Sequence, residues 1–119
     1  MTADSRSFDS PDESRSAGNG EVQIVKVAGQ SIGRARLEPG WKWSNDLKPI
    51  VGTESCQADH LGYVVSGAMH IVHEDGSEAD IAPGEVYVIK PGHDAWVTGE
   101  EAFVGIEFQS KTAETFAKS

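Results

Sequence analysis

The stretch MHIVHEDGSEADIAPGEVYVIKPGHDAWV, residues 69–97, alternates short apolar runs with Gly, Pro and acidic residues. Its Asp75-Gly76 pair stands between two strand-like runs, and this is the typical pattern of a tight β-hairpin. Pro83-Gly84 and Pro91-Gly92 divide the remainder into two further runs of strand length. The stretch therefore predicts four short strands in succession.

Runs of the same kind lie on both sides of this stretch, whereas no window before residue 110 keeps a helical period over three turns. Many short strands with little helix predict an all-β sandwich or a closed barrel. The additional strands are predicted at Val22–Val27, Ser31–Leu37, Leu61–Ser66 and Ala102–Phe108.

The length of 119 residues suits one domain. Residues 1–20 contain no Val, Ile or Leu and are predicted to be a disordered acidic tail, because such a segment cannot bury enough apolar surface to offset its ordering entropy. The barrel is predicted to span residues 21–110. Residues 111–119 are predicted to form a short helical or frayed C-terminal segment.

The charge balance limits the candidate partners. Lys and Arg number 10 against 19 Asp and Glu, a formal net charge of −9, which repels nucleic-acid phosphates and anionic lipid headgroups. The lone Cys56 cannot form an internal disulfide, and no apolar run resembles a signal peptide or a membrane span. We therefore expect a cytoplasmic protein that binds neither nucleic acid nor membrane.

Two glycine-anchored segments resemble the cupin superfamily over about residues 31–108. The first family motif is G(X)5HXH(X)3,4E(X)6G, and Gly67 fits its closing glycine. The second is G(X)5PXG(X)2H(X)3N, and Gly84 and Gly92 fit its two glycines. The resemblance implies a double-stranded β-helix, also called a jelly-roll barrel, with a pocket for a small molecule. It also implies a homodimer, because cupin edge strands commonly pair between subunits.

The positions that carry metal ligands in cupins hold different residues here. His60 occupies the glutamate position, Cys56 and Glu54 occupy two histidine positions, and His93 lies two residues before Ala95 in the third. Residues two apart share a face of a strand, so these four side chains are predicted to point to one side. They would form a complete ligand set for a divalent metal, with zinc favoured and iron or copper as alternatives.

The alternative for these residues is a packed cysteine with two hydrogen-bonded histidines in a metal-free pocket. A thiol–imidazole pair of Cys56 and His60 is not expected unless the chain bends, because four residues on a strand span about 13 Å.

Aromatic residues are candidates for contacting an organic ligand. Trp41 and Trp43 share a face and are predicted either to pack in the core or to form an aromatic lip on the pocket. The Tyr63 hydroxyl points into the pocket unless a bulge near Gly62 reverses its direction. The sequence thus leaves three hypotheses: a metal-holding, small-molecule-binding cupin, a metal-free binding or sensing barrel, and a dimeric scaffold.

Overall fold

The computed structural model describes residues 3–108, which contain nine strands and two single-turn helices. The segment predicted at residues 111–119 lies outside the described residues. The strands are β1 Glu13–Ala17, β2 Gly20–Val27, β3 Gln30–Leu37, β4 His60–Ser66, β5 Ala68–His73, β6 Glu78–Ile81, β7 Val86–Ile89, β8 His93–Thr98 and β9 Phe103–Phe108. The helices are α1 Trp43–Asp46 and α2 Lys48–Val51.

The strands pair antiparallel in two sheets that share one hydrophobic core. The large sheet has the order β1-β2-β3-β9-β4-β7, and the small sheet has the order β6-β5-β8. The predicted all-β jelly-roll class is confirmed. Within residues 3–108 no strand of the small sheet pairs with one of the large sheet, so the arrangement is a jelly-roll sandwich and not a closed barrel.

Alternation along the strands decides which side chains enter the space between the sheets. In β8 the buried positions are His93, Ala95 and Val97. The same alternation in β9 buries Phe103 and, four residues later, Glu107. Two ionisable side chains are therefore carried into the interior by ordinary strand geometry.

The predicted turns are present where glycine was expected. In the β5–β6 hairpin, the Asp75 carboxylate accepts hydrogen bonds from the Ser77 amide at 2.9 Å and from its hydroxyl at 2.6 Å, while Gly76 has a φ of 88°. Gly67 has a φ of 73°, and a Cβ there would collide with the Ala102 carbonyl oxygen. The closing glycine of the first motif is thus required by both its backbone conformation and its surroundings.

The prediction that residues 1–20 form a disordered tail is wrong for residues 13–17. These residues form β1, which pairs with β2 from Glu13 opposite Ile24 to Ala17 opposite Gly20. β1 lies at the edge of the large sheet. Its side chains can be polar and exposed there, because backbone hydrogen bonds to β2 hold the strand in the sheet. The domain therefore begins before Glu21.

The helices α1 and α2 lie in the long connection between β3 and β4, which packs Trp41, Trp43 and Leu47 into the core. Neither helix in the described part of the chain is long and apolar enough to cross a bilayer.

Candidate metal and ligand site

Backbone hydrogen bonds tie Cys56 to the start of β8. The Cys56 amide donates to the His93 carbonyl at 2.7 Å, and the Cys56 carbonyl accepts from the amides of Gly92 and His93 at 2.7 and 3.3 Å. Gly92 has a φ of 89°, which turns the chain directly into β8. The thiol is consequently fixed beside the His93 imidazole, and both side chains are buried.

His60 approaches the same point from the large sheet, as the first residue of β4. Its ring centroid lies 5.0 Å from that of His93, and its Nε2 lies 3.8 Å from the Cys56 Sγ. One ligand atom from each of these three residues lies within 4.8 Å of the other two. Cys56 and His60 are close because the separation of about 13 Å applies only to a continuous strand, and residues 57–59 are not in a strand.

Both imidazoles are held by hydrogen bonds at Nδ1. The His60 Nδ1 lies 2.7 Å from the Glu107 carboxylate, and the His93 Nδ1 donates to the Lys90 carbonyl at 2.7 Å. An imidazole that donates through Nδ1–H presents its Nε2 lone pair as the remaining ligand atom, and this is the usual arrangement of metal-binding histidines. Each ring is thus oriented so that Nε2 is the nitrogen that would coordinate a metal.

Two glycines allow a tyrosine to reach Glu107 across the large sheet. Gly62 in β4 pairs with Tyr87 of β7 on one side and with Glu107 of β9 on the other. A Cβ at Gly62 would lie 2.6 Å from the Tyr87 hydroxyl oxygen, and one at Gly105 would lie 2.9 Å from it. Without those Cβ atoms, Tyr87 donates a hydrogen bond to Glu107, which therefore has partners in both Tyr87 and His60.

The residues of this site strongly shift one another's pKa values. Burial raises the pKa of Cys56, but hydrogen bonds and charge from His60 and His93 outweigh it and lower the pKa to about 6. Burial lowers the pKa of His60, but Glu107 and Cys56 together raise it to about 10. Burial first, and then the Glu107 carboxylate, raise the pKa of Tyr87. At neutral pH the metal-free site therefore holds a thiolate beside an imidazolium, next to a protonated tyrosine.

A cavity of about 60 Å³ adjoins the cluster. This volume has room for about four groups of the size of a water molecule. Its polar residues are His60, His93, Tyr87 and Glu107. Its apolar residues are Ala35, Leu37, Met69, Ile81, Ile89, Ala95 and Phe103.

The structure does not bring Glu54 to the cluster. Its side chain is 93% exposed and forms an ion pair with Lys48 at 3.1 Å. The prediction of Glu54 as a ligand assumed a continuous strand from residue 54 to residue 60. The chain instead forms only an isolated bridge at Cys56, so strand alternation does not apply to Glu54.

Trp43 and Tyr63, predicted as ligand contacts, do not line the cavity. Trp43 is buried in α1 and packs within the hydrophobic core. Tyr63 is 39% exposed and faces outward, because its neighbours Gly62 and Val64 face inward. The irregularity in β4 falls between Val64 and Ser66, after Tyr63, and so it does not turn the hydroxyl inward.

Sequence reasoning missed Glu107 and Tyr87. Both had a signal in strand alternation: Glu107 shares a face of β9 with Phe103, and Tyr87 shares a face of β7 with Ile89. A carboxylate placed on an apolar face is uncommon unless it is paired, and that exception marks a candidate site.

No protein-family model matches the sequence, and no curated protein matches it. Solved structures resemble the fold. A Rhizobium leguminosarum protein of unknown function has 21% identity and a TM-score of 0.63, over 91% of this chain and 96% of that chain. KdgF from Halomonas sp. has 20% identity and a TM-score of 0.53, over 81% and 86% of the two chains.

A variant of oxalate decarboxylase from Bacillus subtilis has 19% identity and a TM-score of 0.60, and the match covers 87% of this chain but 28% of the decarboxylase chain. KdgF and oxalate decarboxylase are cupins, so the chain described here has a cupin-like fold, as the glycine motifs predicted.

Proposed function

We propose that this chain is a small-molecule-binding cupin that holds one divalent metal ion through Cys56, His60 and His93. The observation that carries the proposal is the convergence of one imidazole from each sheet with the Cys56 thiol from the connection before β4. Ligand atoms of a tetrahedral zinc site lie about 3.5 Å apart, so the observed separations, none beyond 4.8 Å, need only small side-chain movements. The donor set suits zinc first, with iron or copper as alternatives.

Three protein ligands leave one position of a tetrahedral site for water or a ligand, whereas structural zinc sites usually have four protein ligands. The cavity adjoins this cluster and shares His60 and His93 with it. These two features support a binding function at the metal over a purely structural one. Similarity to oxalate decarboxylase and KdgF adds support at the level of fold only.

Elemental analysis tests the metal directly. Full-length protein without a histidine tag, exposed to zinc and then dialysed, is expected to retain about one zinc per chain. Retention of no metal after parallel exposure to zinc, iron, copper, nickel and manganese would instead favour a metal-free pocket built on the thiolate–imidazolium pair.

The Cys56→Ser variant tests the thiolate ligand. Wild-type protein loaded with cobalt is expected to show a thiolate-to-metal charge-transfer band, and the variant is expected to lose this band and to bind metal more weakly. Unchanged metal content and spectrum in the variant would show that Cys56 is only a packing residue.

We also propose that the chain forms a homodimer through the outer face of β4 and β7. This face exposes Leu61, Tyr63, Val65, Val86 and Val88, and β7 lies at the edge of the large sheet. The Val88→Lys variant is expected to sediment as a monomer at tens of micromolar, while Ala82→Lys, an exposed turn position, remains dimeric. A wild-type monomer at that concentration would contradict the proposal.

A further inference from the structure

The cavity beside the cluster differs sharply in chemistry between its two ends. The polar end carries His60, His93, Tyr87 and Glu107, whereas the rest of the wall is aliphatic or aromatic. No Lys or Arg among residues 3–108 lines this cavity. A ligand that reaches the cluster would therefore place only one end near polar groups.

The charges at the polar end set a second limit. A divalent metal would bring two positive charges. A coordinating Cys56 must be a thiolate, and the Glu107 carboxylate lies 2.7 Å from the His60 Nδ1, so two negative charges would face the metal. The two imidazoles, with Nε2 presented to the metal, are neutral. The loaded site would thus be close to neutral before any ligand enters.

A second carboxylate on a ligand would be buried against apolar side chains with no cation to pair with. Removing a charged group from water without a partner is strongly unfavourable. A hydrocarbon group in the same place would gain favourable transfer free energy. The wall therefore selects against ligands with two charged ends.

We propose that the ligand is a small monofunctional molecule, an inference that rests on the metal site proposed above. It has a single metal-binding head group, carries at most one negative charge, and has a compact hydrocarbon body. The volume of about 60 Å³ limits the buried part to about four water-sized groups. A branched short-chain monocarboxylate fits these limits, whereas a dicarboxylate of the same length does not.

Isobutyrate and malonate test this selectivity. Both are short, but isobutyrate has one carboxylate on a branched hydrocarbon body, whereas malonate is linear and has two carboxylates. Calorimetric titration of zinc-loaded, full-length protein is expected to give isobutyrate an affinity at least about tenfold higher than malonate. Zinc content is measured after each titration, since malonate also chelates zinc in solution. Equal or tighter binding of malonate with zinc retained would overturn the inference, as would failure of isobutyrate to bind zinc-loaded protein.

Two substitutions locate the binding in this cavity. Ala95→Leu fills the cavity and is expected to lower isobutyrate affinity at least about tenfold with zinc retained, because Ala95 lines the wall without belonging to the cluster. Ile81→Val enlarges the cavity and is expected to improve binding of the longer isovalerate relative to isobutyrate. Ala79→Leu, at an exposed position of β6 that does not line the cavity, is the matched control.

The outcomes separate this inference from the proposed metal site. Retention of none of the tested metals by the wild type refutes the metal site itself. With zinc retained, isobutyrate binding that Ala95→Leu leaves unchanged refutes only the location of the ligand, and equal or tighter binding of malonate refutes only its class.

Discussion

Two clusters of polar side chains within residues 3–108 each contain histidine, and they differ in what surrounds the imidazole nitrogens. In the inner cluster, His60 and His93 use Nδ1 for hydrogen bonds and direct Nε2 to the interior beside Cys56. In the outer cluster, on the small sheet, both nitrogens of His70 lie 2.7 Å from carboxylates, those of Asp80 and Glu78. The second nitrogen of each inner histidine lies beside a thiol that could bind the same metal, whereas both nitrogens of His70 face carboxylates.

Burial separates the clusters further. The Asp80 and Glu78 side chains are 74% and 59% exposed, so water and salt screen their interactions with His70. Glu107 is 3% exposed, and its interaction with His60 is poorly screened. A histidine with nearby acids is therefore not in itself a metal site. Burial and a second ring nitrogen that lies beside Cys56 make the difference.

Substitution of one histidine in each cluster should produce the largest contrast. His93→Ala removes a proposed ligand and is expected to weaken zinc binding by more than about 100-fold, because loss of even a residue that only orients a ligand costs about 10–100-fold. His70→Ala is expected to leave zinc content unchanged. Elemental analysis and competition with a chelator measure both variants.

For His60 the better substitution is Gln. Ala at this position would leave the buried Glu107 carboxylate without its imidazole partner, so a loss of zinc could reflect destabilisation of the fold. Zinc retention by both His60→Gln and His93→Ala would contradict the assignment of the inner cluster as the metal site.

The sequence predicted the fold well because strand alternation and turn glycines act over a few neighbouring residues. Gly67 and the Asp75-Gly76 turn both adopt the conformations that their sequence context indicated. Local patterns carried these predictions because each depends on spacing alone. His60, His93 and Cys56 also lie together, but an isolated bridge to His93 holds Cys56 there, and not the strand parity from which its direction was predicted.

The rest of the site depended on contacts between distant segments. Glu54 was misplaced because alternation was extended through residues 54–59, which do not form a strand. Glu107 meets His60 only because β4 and β9 are neighbours in the sheet, an order that the sequence does not state. Tyr87 reaches Glu107 only because two distant glycines leave space for it.

The Glu107→Gln variant is expected to have an intermediate effect, as the carboxylate orients His60 without touching the proposed metal position. Zinc affinity should fall about 10–100-fold. Glu100→Gln, an exposed loop substitution, is the matched control and should leave affinity unchanged.

Proton release distinguishes this positioning role from general loss of structure. At pH 8 the metal-free wild type carries an imidazolium at His60, whose pKa is raised to about 10, so zinc binding should release about one proton. Without the carboxylate that pKa falls, and the variant should release a smaller fraction of a proton. Calorimetry in buffers of different ionisation enthalpy measures this number, and equal release by wild type and variant would contradict the role.

The smallest expected effect is at His70, and it concerns stability and not metal. Hydrogen bonds to Asp80 and then Glu78 raise the pKa of His70 above its unfolded value of 6.5. The stabilisation is therefore fully present below pH 6.5 and is lost as the pH rises through the folded pKa. His70→Gln should lower the melting temperature at pH 5.5 by a few degrees at most, and by less at pH 9, because exposed ion pairs contribute little. The same substitution in a Glu78→Gln/Asp80→Asn background should show no such pH dependence. An equal loss at both pH values in the otherwise wild-type protein would mean that His70 acts through packing against Trp96, whose ring centroid lies 5.0 Å away, and not through its charge.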